Sequence, residues 1–262
     1  MTALAATLTD EAPIGVGEAL LQLDGAAIAL FLDIDGTLLD LALRPDAVSV
    51  PADLAPTLAR AERKLAGALA LVSGRTIEET DRLFAPLRLC ASGVHGAQVR
   101  LRPDGPLETV ADAGATPKNL ATAIRAAIRH CPRLLVEDKG QSVAVHFRLN
   151  PEAAPWVRET LRELIDASPS WGVELLDAHY ALEVKPSSVD KGKSIALFMR
   201  QAPFQGRLPV FIGDDATDEA GFAEVAARGG RGFSVGRRRP GAIGVFESPQ
   251  AVRAWLAAFS AS

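Results

Sequence analysis

From Ala26 to Leu32 the chain is continuously apolar and then turns abruptly polar at Asp33, as expected for a strand covered on both faces in a parallel sheet. Further strand-length runs follow at Ala68–Val72, Leu87–Ala91, Pro209–Gly213, Gly232–Val235 and Ile243–Phe246. Between them lie helix-length stretches near Ala52–Leu65, Ile77–Phe84, Gly192–Arg200, Asp218–Ala227 and Gln250–Phe259. This alternation predicts an α/β fold, a Rossmann-like parallel sheet with helices on both faces.

The middle of the chain follows a different pattern. Leu134–Glu137 and Gln141–Leu149 are strand-like runs joined by a short turn at Asp138–Gly140, with Val143, Val145 and Phe147 alternating against Ala144, His146 and Arg148. Period-two alternation predicts antiparallel strands with one face buried. With helices near Lys118–His130 and Pro151–Ala167 and strands at Val173–Asp177 and Ala181–Lys185, the segment reads α-β-β-α-β-β. The expected organisation is a leader at 1–24 with a short helical patch at Glu18–Leu23, a core at 25–110 and 187–262, and an inserted α/β domain at 111–186.

Composition adds exclusions. Lys and Arg number 28 against 32 Asp and Glu, a formal net charge of −4, without the basic excess that broad binding to nucleic acid or anionic lipid requires. Neither nucleic acid nor membrane is an expected partner. No apolar run reaches the roughly 18 residues of a membrane span, and the first residues lack the basic flank of a secretory signal. Two cysteines, Cys90 and Cys131, in a chain large enough to build its own core fit a reducing compartment, so a cytoplasmic location is expected.

In open parallel sheets ligands sit beyond the carboxyl ends of the strands, and there the residues are unusually acidic. The first strand delivers Asp33, Asp35, Gly36 and Thr37, and a later one delivers Asp214, Asp215 and Asp218. Acidic clusters meeting at one edge repel unless a cation joins them, and Mg²⁺, a hard ion that completes its shell with water and phosphate oxygens, fits best. The remaining pieces suit a phosphoryl group. Gly36 and Thr37 offer backbone N–H groups, Ser73 and Arg75 add a hydroxyl and a guanidinium fork, and Lys191 adds a point charge. Asp33 can then attack phosphorus to form an aspartyl-phosphate while Asp35 acts as general acid and base.

FLDIDGTL (Phe31–Leu38), Ser73 in VSGR, Lys191 in DKG and IGDDATDE (Ile212–Glu219) resemble the four ordered motifs of the haloacid dehalogenase-type (HAD) phosphatases. SGVHG (Ser92–Gly96), VEDKGQSVAVHFR (Val136–Arg148), LEVKP (Leu182–Pro186) and VDKGKS are similar to the pattern of the trehalose-6-phosphate phosphatase family, and the resemblance spans roughly Ile28 to Gly236. It implies a HAD core with a C2-type cap between the second and third motifs, and Mg²⁺-dependent hydrolysis of trehalose 6-phosphate in trehalose biosynthesis. By the same resemblance Asp33 is the nucleophile and Asp35 the acid/base. Asp33, Asp214 and the backbone carbonyl of Asp35 hold the metal, with Asp215 and Asp218 behind them. Thr37, Ser73 and Lys191 hold phosphate, and Glu137, Lys139, Arg148 and Glu183, with His95 near them, contact the disaccharide.

Two departures stand out. LLDLALRPD follows the first motif where many relatives have a proline-containing segment, and Gln98 occupies a position where glutamate is common. Two other readings remain open at this point: a capped phosphatase for another sugar phosphate such as sucrose phosphate, and a catalytically silent sugar-phosphate-binding regulator. A monomer is the expected state.

Overall fold

The structure, a computed structural model, describes residues 24–41, 48–110, 119–178 and 180–261. The leader up to residue 23, most of the segment after the first motif and the entry to the inserted domain, including Lys118, lie outside the described residues.

Among the described residues twelve strands form two sheets. The larger contains β1 (Ile28–Leu32), β2 (Leu69–Val72), β3 (Cys90–Gly93), β4 (Gln98–Arg100), β5 (Glu108–Thr109), β10 (Leu208–Gly213), β11 (Arg231–Val235) and β12 (Gly244–Phe246). Its order is β12-β11-β10-β1-β2-β3-β4-β5, parallel from β12 to β3 and antiparallel at β4 and β5. The mixed α/β class and the parallel-rich sheet match the expectation from sequence. The two antiparallel edge strands were not anticipated, because runs of three and two residues carry too few positions to reveal a period.

Every residue of β1 is buried, consistent with helices covering both faces. Strand order reverses at β1, with β2 and β3 on one side and β10 to β12 on the other. Such a reversal opens a crevice at the carboxyl edge. Leu32 is in register with Ile212, so the residues that leave β1 and β10 emerge side by side.

Two helices fix the height of this edge. The first, α5 (Lys191–Phe198), follows α1 (Leu54–Lys64), α2 (Ile77–Phe84), α3 (Leu120–Ile128) and α4 (Ala154–Asp166), and the second is α6 (Glu219–Ala227). Phe198 of α5 and Phe204 pack on Phe31 of β1 with centroids 5.9 and 5.4 Å away, and Phe222 of α6 packs on Phe211 of β10 at 5.2 Å. A Cβ on Gly192 would lie 2.4 Å from Ala220 O, so only glycine lets α5 close against α6 next to Lys191. A final helix, α7 (Pro249–Ala261), packs against α1.

The smaller sheet contains β6 (Leu135–Asp138), β7 (Val143–His146), β8 (Val173–Ala178) and β9 (Ala181–Pro186), ordered β6-β7-β9-β8 and antiparallel throughout. Val143, Val145, Phe147, Leu182 and Val184 form a separate apolar cluster with Leu120, Ile124, Val157 and Leu161 of α3 and α4. Strand parity then assigns Glu137, Ala144, His146, Glu183 and Lys185 to the opposite face. Lys185 is buried and donates to the carbonyls of Pro186 (3.2 Å) and Val189 (2.6 Å) in the connector to α5.

Candidate active site

Asp33 is the first residue past β1, and its N–H donates to Ile212 O at 2.9 Å, which locks it to β10. Lys191 starts α5, whose cap is Asp190, accepting the Lys193 N–H at 2.7 Å. The Lys191 ammonium, 3% exposed, lies 2.8 Å from Asp33 Oδ1 and 2.6 Å from Asp218 Oδ1. The other oxygen of Asp218 accepts the N–H groups of Asp214 (2.8 Å) and Asp215 (3.0 Å). Asp218 therefore braces the acidic loop and orients Lys191. Asp215 accepts both the N–H and the hydroxyl of Thr217.

One oxygen from each of Asp33, Asp214 and Asp218 lies within 4.8 Å of the others. Burial, partly offset by Lys191, and the neighbouring Asp218, Asp214 and Asp215 hold the Asp33 carboxyl well above its usual range. Burial together with Asp218 and Asp215 pushes Asp214 up to about 7. Lys191 supplies one positive charge against Asp33, Asp214, Asp215 and Asp218, leaving an uncompensated cluster of carboxylate oxygens. That chemistry fits a hard divalent cation with oxygen ligands. The Asp35 side chain is not part of this cluster. Both its oxygens accept from the Arg75 guanidinium at 2.6 Å, a bidentate pair at the rim of the crevice.

Gly36 sits in the left-handed region at φ +79, where a Cβ would fall 2.2 Å from the Asp214 carboxylate. Its N–H is spent on Leu39 O at 2.8 Å, and that of Thr37 faces Ile34 O at 3.4 Å. The buried Thr37 hydroxyl stands 3.5 Å from Asp214 Oδ1. Ser73, buried at the end of β2, accepts the Arg75 N–H at 3.2 Å. Past it a reciprocal Thr76–Glu79 capping box starts α2 and fixes the loop that carries Arg75.

The inserted sheet faces this crevice. Lys139 Nζ reaches Gly74 O at 3.0 Å and Glu183 Oε2 at 2.9 Å. Glu183, 3% exposed, also accepts the Ser142 hydroxyl and lies 3.4 Å from His95 Nε2. Burial pushes the Glu183 carboxyl up, but Lys139 and His95 outweigh it and hold the group well below the usual carboxylate range. Val94 and His95 adopt φ of 49 and 53, uncommon for non-glycine residues and costly, of the kind found where a side chain must be aimed. His95 Nδ1 is buried with no partner among the described residues. Glu137 pairs with His146 at 2.8 Å, and the Arg148 guanidinium lies 4.6 Å from the centre of the Tyr180 ring.

The structure thus brings together Asp33, Lys191, Asp214 and Asp218 at the base with the buried Thr37 and Ser73, Asp35 and Arg75 at the rim, and His95, Lys139 and Glu183 beside the Ser73–Gly74 loop, where the His95 N–H donates to Ser73 O at 3.1 Å. Arg148 stacks on Tyr180. Ser142, Gln141 and His146 were not singled out as site residues from sequence. Ser142 and His146 share the parity of Ala144, and that alternation was the available signal. Gln98, the departure noted above, accepts the Ile77 N–H at 3.0 Å and donates to Gln141 at 2.8 Å, joining the start of α2 to the inserted hairpin.

Known proteins resemble this chain over most of its length. The family model "Trehalose-phosphatase" matches residues 31–239. A probable trehalose-phosphate phosphatase of Sinorhizobium fredii is 41% identical over 235 residues, covering 88% of this chain and 87% of that protein. The trehalose-6-phosphate phosphatase of Escherichia coli is 36% identical over 211 residues, covering 80% and 78%. Among solved structures, the C-terminal domain of a C. albicans trehalose-6-phosphate phosphatase superposes with a TM-score of 0.83 over 94% of this chain and 98% of that one, at 18% identity, a likeness of fold. With its HAD-type fold and its match over most of its length, the chain is a phosphatase and belongs to the trehalose-phosphatase family.

Proposed function

We propose that this chain hydrolyses trehalose 6-phosphate to trehalose and phosphate through an aspartyl-phosphate on Asp33. The observation that carries the reading is the Asp33–Lys191–Asp214 cluster together with His95 and Lys139, which hold Ser73 O and Gly74 O at the end of the next strand and both meet Glu183. The matching S. fredii and E. coli proteins, named for trehalose-phosphate phosphatase activity, support the substrate.

Asp33 attacks phosphorus, the bond from phosphorus to the sugar oxygen breaks, and Asp35 gives that oxygen its proton. Asp35 then takes a proton from water as the water oxygen attacks phosphorus, which releases phosphate and restores Asp33. Asp35 must leave the Arg75 fork to do so. Lys191, Thr37 and Ser73 balance charge on the phosphoryl oxygens, with Gly36 shaping the loop and Arg75 freed to add its guanidinium. Mg²⁺ is the proposed metal; Asp33, Asp214 and the carbonyl of Asp35 would hold it, with Asp215 and Asp218 behind them, and it would supply Lewis-acid charge neutralisation at the phosphate. Glu137, Lys139, Arg148, Glu183 and His95 contact sugar hydroxyls.

Residues 111–186 act as a cap on the core formed by 25–110 and 187–262, excluding water when closed. Among the described residues no helix is long and apolar enough to cross a membrane. The free thiols of Cys90 and Cys131 support a cytoplasmic enzyme, and we take it to act as a monomer.

The test is phosphate release from a panel of sugar phosphates, with and without Mg²⁺, for the natural chain and Asp33→Asn. The expected result is Mg²⁺-dependent turnover led by trehalose 6-phosphate and a loss of at least about 10⁴-fold in the variant. Preference for sucrose phosphate would overturn the substrate. Ligand binding without turnover would overturn the enzyme reading in favour of a sugar-phosphate-binding regulator.

A further inference from the structure

We infer that His146 is a positioning residue for sugar recognition, acting through Glu137. This rests on the reading that Glu137 contacts the sugar. The core chemistry does not itself call for an imidazole at 146.

The register places the pair. Glu137 lies opposite Ala144, and His146 lies opposite Leu135 on the same face of the β6–β7 ladder, so the two side chains are diagonal neighbours within reach of long groups. They meet at 2.8 Å between His146 Nε2 and Glu137 Oε2. Both are partly exposed, at 20% and 25% of their side-chain surface. The face they occupy is the one that carries Lys139 and Glu183 towards the crevice, while the apolar face beneath is filled by α3 and α4. His146 is therefore not a core residue satisfied by chance.

Glu137 needs such a partner. Its strand lies at the edge of the inserted sheet, and a glutamate there has three rotatable bonds and water on one side, so unrestrained it would sample many rotamers. The His146 hydrogen bond, against the opposing effect of burial and with help from Lys139, holds the Glu137 carboxyl below its usual range. On the other side Ala144 separates Glu137 from Glu183 across the strands, so no bulky side chain there limits where Glu137 can swing. With one oxygen anchored by His146, the carboxylate is fixed in position and its remaining acceptor capacity faces sugar hydroxyls. The anchoring cost is then met on folding rather than on binding, which appears as tighter substrate binding and not as faster chemistry.

The experiment is steady-state kinetics of the full chain, in Mg²⁺, on whichever sugar phosphate the panel ranks first, for His146→Ala, His146→Gln, Glu137→Ala and the double variant His146→Ala/Glu137→Ala. Thermal melting of each confirms folding. The expected result is a KM raised about tenfold in His146→Ala with kcat changed little, substantial recovery in His146→Gln, whose amide can still donate to Glu137, and a double variant no worse than Glu137→Ala alone. Independent, multiplicative losses in the double variant would overturn the inference, as would an unchanged KM in His146→Ala beside a raised KM in Glu137→Ala. An equal fall of kcat in His146→Ala and His146→Gln would overturn it too, because that pattern belongs to the chemical step. A Glu137→Ala protein with unchanged KM would remove the sugar contact itself and the inference with it, while leaving the phosphatase reading intact.

Discussion

Replacing Gly36 by alanine tests whether the position of the Asp214 carboxylate governs turnover. Two costs arise at this residue. The first is the backbone: φ is +79, and an L side chain in the left-handed region costs about 1–2 kcal/mol. The second is the approach of Asp214. A Cβ at residue 36 would sit 2.2 Å from Asp214 Oδ2, where real Cβ contacts essentially never fall below 3.0 Å. The carboxylate must retreat by about 0.8 Å or more, and a displacement near 1 Å in a reacting constellation costs about 100-fold in rate. Gly206 provides the control, because it has φ +80 with nothing within 4 Å of the position a Cβ would take. Gly206→Ala carries the backbone cost alone and should lower the melting temperature by about 2–8 °C with activity retained. Gly36→Ala should lose at least as much stability and about 100-fold in kcat/KM. Phosphate release and thermal melting of the two variants decide the matter. A Gly36→Ala enzyme within about threefold of Gly206→Ala would refute the claim that this loop and Asp214 must keep their present spacing.

Two further outcomes follow from buried groups outside the acidic cluster. Lys185→Met removes the donor shared by the Pro186 and Val189 carbonyls; its ion pair with Glu174 adds little because Glu174 is half exposed. The expected loss is about 2–3 kcal/mol, read as a lower urea midpoint, and an unchanged midpoint would show that the connector holds its shape without the lysine. Because Glu183 is held below its unfolded value of 4.5, its ionic contribution to stability is complete above that pH and is lost as the pH falls through its folded value. Glu183→Gln should therefore be less stable than the natural chain at neutral pH, with the gap narrowing in acid; parallel stability profiles from neutral to acid pH would count against this.

Long apolar runs made most of the fold legible. Ile28–Leu32 and Pro209–Gly213 are buried on both faces, so their sequence carries the parallel sheet without ambiguity, and the acids that follow them mark the site edge. Leu87–Ala91 was less clear: the strand begins at Cys90, because Leu87 and Leu89 are apolar for packing reasons and precede the ladder. The short strands β4 and β5 fall below any detectable period. Site residue types could be picked out from strand ends and family motifs, but their pairings could not. Nothing in the sequence joins Arg75 to Asp35 or Gln98 to Gln141, since those bonds span 40 and 43 residues and depend on how loops fold over one edge. The left-handed Val94 and His95 were equally hidden: a β-branched valine is an outlier there, and histidine, though enriched among non-glycine residues in that region, adopts it too seldom to be read from sequence.

The route by which the chain leaves the smaller sheet sets a lever arm. Glu183 is on β9, which runs through Pro186 and the Lys185-stapled connector directly into α5 and Lys191, whereas Glu137 is on β6, two strands further out. If the smaller domain swings about that connector, displacement grows with distance from it, by roughly 4.8 Å of radius per strand. Glu183 would stay close to Lys191 through such a swing, and Glu137 would sweep the wider arc. Substrate would then meet a nearly fixed glutamate first and be enclosed by a travelling one, so that the order of contacts during capture is written in the order of the strands.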